Sequence, residues 1–186
     1  MDNGASSYRR FLDGDDAGMV EIIRDYKDGL MLYLNGLVAD IHLAEELMEQ
    51  TFFKLVTRRP RYTGKCSFKT WLYTIGRNAA IDCLRRRRWV SDAPLEDYAG
   101  SLAAEESVER AYLQEEQKIA LHQALRGLKA EHRQALYLVY FEGFTNAEAA
   151  TAMGKSRHQM ENLISRARAA LKTQLDKEGF VYEELR

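Results

Sequence analysis

The chain has 186 residues, 46% of them hydrophobic and 30% charged, so it can bury a core and falls outside the low-hydropathy class of disordered chains. Its net charge of −1 and pI near 6.4 argue, taken as totals, against a partner as anionic as nucleic acid. No apolar run reaches the roughly 18 residues of a membrane span, and the opening MDNGASSYRRFLDGDDAG lacks a signal-peptide core, so export is not expected.

The near-zero total conceals a segregation of charge. Residues 1–53 hold four Lys/Arg and eleven Asp/Glu, residues 54–89 eleven Lys/Arg against Asp82 alone, residues 90–118 two against eight, and residues 119–186 ten against eight. A basic block between acidic ones reads as an anion-binding surface. Up to Pro60 the pattern is helical. Ile41, Ala44, Met48, Phe52, Leu55 and Val56 recur at spacings of three and four, which predicts one apolar stripe. His42, Glu45, Glu46, Glu49 and Gln50 lie largely off it, and a solvated face is the default reading of such residues.

Residues 58–67, RRPRYTGKCS, form a loop by their Pro, Gly and Ser, and Ser67 is placed to cap a helix over residues 68–88. Phe68, Leu72, Ile75 and Ala79 make its core stripe. Its last turn carries Arg85, Arg86, Arg87 and Arg88. Cations suit a helix C-terminus, but by only about 0.3–1 kcal/mol each, too little to account for four. Arginines cannot be buried unpaired, so these face solvent, an acidic partner or phosphate. Residues 90–116 are acidic and poor in large apolar side chains, and read as a flexible tether, partly helical from about Glu105.

A second helical unit starts near Gln117. Within it, Thr145 with Glu148 and Ser156 with Gln159 are two capping boxes eleven residues apart, with Gly154 between them. A short helix, a tight turn and a longer helix follow, which is helix-turn-helix spacing. Ala149, Ala150 and Met153 can pack on Met160, Ile164, Ala167 and Leu171. His158, Asn162 and Ser165 then point outward, flanked by Arg157, Glu161, Arg166 and Arg168. Alone, the motif also fits a plain helical hairpin. Cys66 and Cys83 belong to no metal-binding pattern, the four histidines are scattered, and no glycine-rich phosphate loop or nucleophile motif occurs. Neither an enzyme nor a cofactor is expected.

Three stretches together carry a resemblance: AEELMEQTFFKLV (44–56), FKTWLYTIGRNAAIDCLRRRR (68–88) and the helix-turn-helix ending RAR (166–168). They resemble bacterial RNA polymerase sigma factors, specifically the short extracytoplasmic-function (ECF) class, which keeps only regions 2 and 4. The resemblance implies an all-α fold of two small domains, region 2 over 1–89 and region 4 over 117–175, joined by a linker at 90–116 and followed by a tail at 176–186. It implies a cytoplasmic promoter-specificity subunit that recognises −35 and −10 elements and promotes melting. Glu45, Glu46, Glu49, Gln50 and Phe53 would dock on the clamp coiled coil of the largest polymerase subunit, and region 4 on the flap of the second-largest. Arg61, Tyr62, Lys65, Trp71, Arg77 and Asn78, with Arg85 to Arg88 on phosphates, would hold the −10 element. Arg157, His158, Gln159, Glu161, Asn162 and Arg166 would lie nearest the −35 bases. An anti-sigma factor is the further partner implied, and no stable homo-oligomer is. A stand-alone regulator would use the helix-turn-helix but leave the aromatic-to-arginine helix and the polar 45–50 face without a purpose. Glu49-Gln50 inverts the family's usual Gln-Glu, and His158 is bulkier than the residue usual there.

Overall fold

The computed structural model describes residues 3–90, 121 and 124–177, apart from the side chains of residues 88–90. The elements are α1 (Asn3–Leu12), α2 (Ala17–Val38), α3 (Ile41–Arg58), α4 (Phe68–Val90), α5 (Ala130–Leu136) running into a π-helical turn (Tyr137–Phe141), α6 (Asn146–Met153) and α7 (Arg157–Lys177). There is no strand among the described residues. Apart from residue 90, which ends α4, the expected linker at 90–116 lies outside them, as does most of the tail.

Helices α1 to α4 form one bundle. Leu30, Leu34, Leu43, Leu47, Leu55 and Leu72 meet in its core, where burying each such side chain is worth about 1.5–3 kcal/mol. The α1–α2 crossing is close: a Cβ at Gly18 would run into the Ser7 carbonyl oxygen and stand 2.9 Å from the Phe11 nitrogen. The stripe of α3 differs from its expected form at one end. Val56 is exposed, and buried Leu43, Leu47 and Thr51 fill the seam, Thr51 by donating its hydroxyl to the Leu47 carbonyl at 2.7 Å. A helix repeats at 3.6 residues, so Val56, next to buried Leu55, swings about 100° away from the seam.

In the second bundle both capping boxes form. Thr145 Oγ1 accepts from the Glu148 nitrogen, whose carboxylate in turn accepts from the Thr145 nitrogen at 2.9 Å. The Gln159 nitrogen donates to Ser156 Oγ at 3.2 Å, and the Ser156 nitrogen donates to Gln159 Oε1 at 2.8 Å. Gly154 makes the turn at φ 62°, where a side chain would be strained. Lys129, at the N-cap of α5, supplies no capping side chain.

The two bundles pack together. Lys69 of α4 pairs with Glu142, the residue after the π-helical turn, at 2.7 Å. Arg133 Nε of α5 donates to the Gly36 carbonyl of α2 at 2.6 Å, and Tyr33, Tyr73, Leu138 and Phe144 share one continuous core.

Candidate polymerase and nucleic-acid interfaces

The first surface is on α3. Asp40 caps this helix by accepting from the Leu43 nitrogen at 3.1 Å. With Leu43, Ala44, Leu47, Thr51, Phe52 and Leu55 turned inward, Glu45, Glu46, Glu49, Gln50 and Phe53 all stand exposed on the opposite side. Phe53 is 68% exposed. A large aromatic in water beside three carboxylates gains nothing for the fold, and it supplies an apolar anchor within an acidic patch.

The second surface is the 61–67 loop with α4. Ser67 caps α4 by accepting from the Thr70 nitrogen at 3.2 Å. Gly64 turns the loop at φ 71°, leaving Arg61 and Lys65 exposed. Tyr8 Oη donates to the Pro60 carbonyl at 2.8 Å and pins the loop to α1; burial, partly offset by Arg59, pushes its pKa up to about 12, so it stays a donor. Tyr62 and Trp71 are half-buried in one aromatic cluster. The Trp71 ring lies 5.2 Å from Tyr62, 5.4 Å from Tyr8 and 5.5 Å from Phe68. Asn78 is exposed, and half-buried Arg77 donates to Gln134 Oε1 at 3.4 Å. Further along, Arg85, Arg86 and Arg87 are exposed. Arg85 pairs with Asp82 at 3.0 Å and Arg87 with Asp40 at 3.9 Å, while the Arg88 side chain lies outside the described residues. The 23 residues of α4 extend for about 35 Å, a full turn of duplex. A basic helix of that length can follow one backbone.

The third surface is the outer side of α7. Met160, Leu163, Ile164 and Ala167 are buried, so Arg157, His158, Gln159, Glu161, Asn162 and Arg166 are all exposed. Arg157 Nε holds Glu161 Oε1 at 2.9 Å, and the Asn162 amide lies 3.1 Å from His158 Nε2. These pairs align the side chains along the helix in the absence of a partner. Behind them, Leu125, Leu136, Tyr140, Phe141, Leu171 and Leu175 line an apolar cavity of about 350 Å³.

Lys69, Tyr73 and Glu142 form a group that no pattern in the sequence marks. Tyr73, 0% exposed, donates its hydroxyl to Glu142 Oε2 at 2.7 Å, and burial first, then that carboxylate, drives its pKa far up. The partners are 69 residues apart in sequence, and no periodicity within one helix could have found them.

A bundle with a long basic helix, packed on a doubly capped helix-turn-helix with a polar outer face, defines a helical DNA-binding protein of two units. Residues 22–90 match the family Sigma-70 region 2, and residues 118–171 match Sigma-70, region 4. The chain is 31% identical over 166 residues to the RNA polymerase sigma-H factor of Pseudomonas aeruginosa, covering 85% of this chain and 86% of that one. It is also 31% identical over 155 residues to the ECF RNA polymerase sigma factor SigM of Bacillus subtilis, covering 82% and 91%. Among solved structures, it is similar to the sigma factor RpoE of Bartonella quintana in complex with the anti-sigma factor NepR (TM-score 0.66, 25% identity, 84% of this chain and 95% of that one). It shares the fold of CnrH in complex with the cytosolic domain of CnrY (TM-score 0.63, 19% identity, 94% and 96%). The chain belongs to the sigma-70 family of RNA polymerase sigma factors, in its extracytoplasmic-function class. It is thus a promoter-recognising specificity subunit of RNA polymerase, not an enzyme.

Proposed function

We propose a division of labour among the three surfaces. The face of α3 bearing Glu45, Glu46, Glu49, Gln50 and Phe53 docks on a basic, coiled-coil part of core polymerase. The 61–67 loop and α4 hold the −10 element, Tyr62, Lys65, Trp71, Arg77 and Asn78 near the bases and the arginine run on phosphates. The outer face of α7 reads the −35 element. What carries this reading is the placement of all six α7 candidates on one exposed face while that helix's apolar stripe is buried. Arg and Gln or Asn on a groove-facing helix can read guanine and adenine edges bidentately.

Reading a −10 base requires unstacking it, at a cost of a few kcal/mol that a pocket offsets by stacking and hydrogen bonds. The aromatic cluster around Trp71 gives such a pocket its wall. The apolar cavity behind α7 fits an apolar segment of the polymerase flap. The division into 1–89, 90–116, 117–175 and 176–186 follows from these roles. The protein works in the cytoplasm, as one copy per polymerase, where polymerase and chromosome are. One structural relative is described in a complex with the anti-sigma factor NepR, which supports an anti-sigma partner here.

The test is transcription of genomic DNA by core polymerase with and without the purified protein, with sequencing of the 5′ ends. New start sites sharing two upstream elements about two helical turns apart are expected. If Arg85→Glu, Arg86→Glu and Arg87→Glu together left those starts unchanged, the assignment of α4 would fail.

A further inference from the structure

The cavity behind α7 has apolar walls and a cationic edge. Leu136 of α5, Tyr140 and Phe141 of the π-helical turn, and Leu171 and Leu175 of α7 help to enclose its volume of about 350 Å³. Tyr140 and Phe141 are 54% and 52% exposed, and large aromatic side chains left open in this way mark a surface that something covers. Arg168 and Lys172 complete the edge and are themselves exposed. The Arg168 guanidinium lies 5.4 Å from the Tyr140 ring centre. Neither cation pairs with a carboxylate among the described residues. Arg168, Leu171, Lys172 and Leu175 recur at helical spacing, so apolar and cationic groups share one face of α7.

The sequence that follows α7, residues 178–186, reads EGFVYEELR and complements that face. Phe180, Val181, Tyr182 and Leu185 are apolar, and Glu183 and Glu184 are acidic. Gly179, two residues past Lys177, suits a reversal of the chain. In an extended stretch Phe180, Tyr182 and Glu184 would point to one side at steps of about 6.6 Å. On α7, Leu175, Leu171 and Arg168 follow one another at about 6 Å and then about 4.5 Å along the axis. Antiparallel to α7, the two series keep step to within the reach of an arginine side chain. We propose that residues 180–184 of this chain occupy the cavity, with Phe180 against Leu175, Tyr182 against Leu171 and the Glu184 carboxylate on Arg168 and Lys172. An apolar segment of the polymerase must then displace this stretch, because two chains cannot fill one cavity. Tethered beside its seat, the stretch acts at a high effective concentration. The apparent affinity of the cavity for the flap falls with the fraction of molecules in which it is open. This competition, though not the seat itself, rests on the assignment of the cavity to the flap.

The test is nuclear Overhauser spectroscopy of the full chain with isotope-labelled leucine methyls. Ring protons of Phe180 and Tyr182 are expected to show contacts to the methyls of Leu125 and Leu136, two cavity residues far from them in sequence. Phe180→Ala with Tyr182→Ala should abolish those contacts, and Glu184→Lys should weaken them. Methyl resonances of the first bundle, unchanged in each variant, establish that it is folded. A mixture of labelled and unlabelled chains tells contacts within one chain from contacts between two. Absence of the contacts overturns the proposal, and so does their appearance only between chains, which would give the cavity to a second copy. The competition is read separately, by binding to core polymerase. There Phe180→Ala with Tyr182→Ala should bind about fivefold tighter than wild type. Contacts present with that affinity unmoved would leave the seat standing and remove the flap from the cavity. Tighter binding without the contacts would overturn the seat.

Discussion

Replacing Arg85, Arg86 and Arg87 together by alanine isolates the electrostatic part of promoter binding. All three side chains are exposed. The pairs Arg85–Asp82 and Arg87–Asp40 are surface pairs with 58–68% of the arginine side chain open to solvent. Such pairs contribute about 0–1 kcal/mol and leave the guanidinium free to turn to a phosphate. The substitution should therefore leave the fold intact. Each phosphate neutralised contributes about 0.9 to the slope of log K against log salt, so three contribute about 2.7. At about 0.15 M salt that corresponds to roughly a hundredfold in affinity, or ~3 kcal/mol. The assay is equilibrium binding of forked promoter DNA by polymerase reconstituted with wild type or variant, across a salt series. The two lines should diverge at low salt and converge toward 1 M. Parallel lines would refute the reasoning, because a loss independent of salt is not counterion release.

Other consequences follow from particular contacts. Phe53→Ala should weaken binding to core polymerase about tenfold, an anchor-sized effect, without lowering the melting temperature, because the ring is 68% exposed; competition between labelled and unlabelled chains for core polymerase reads this. Gly18→Ala should destabilise despite a helix-propensity gain of about 1 kcal/mol, since its Cβ meets the backbone of Ser7 and Phe11. Overpacking of that kind costs about 1–3 kcal/mol, and a chemical denaturation curve measures the net loss. The Glu148 carboxyl is held below its ordinary value of 4.5 first by the Thr145 backbone N–H, which outweighs the opposing effect of burial, and then by the Thr145 and Ser67 hydroxyls and Lys69. Its folded pKa being depressed, its contribution is fully present above pH 4.5 and is lost as pH falls through the lower folded value. Helicity of α6, followed by amide exchange, should fall in that acid range, and Glu148→Gln should flatten the dependence.

The local architecture was legible in the sequence because its causes are local. Thr145 with Glu148 and Ser156 with Gln159 lie three residues apart, within reach of one helical turn, and both boxes form as expected. The polar side of α3 could be read from spacing alone, since burying Ala44, Phe52 and Leu55 on one side leaves Glu45, Glu46, Glu49 and Gln50 on the other. Even there, spacing predicts Val56 in the stripe while the structure exposes it, because a count of threes and fours does not say where the partner helix ends. The basic run was visible as charge, and its exposure followed from the cost of burying guanidinium. What only the tertiary structure decided is which face of α4 remains open. Lys69 and Glu142 are 73 residues apart, on separate helical units, and neither spacing nor composition relates them. The π-helical turn over Tyr137–Phe141 shifts the register just before Glu142, so even a correct helical wheel would misplace that carboxylate. Sequence patterns report interactions within a helix, whereas the meeting of two helices depends on how whole surfaces fit, and so it is decided only when the chain folds.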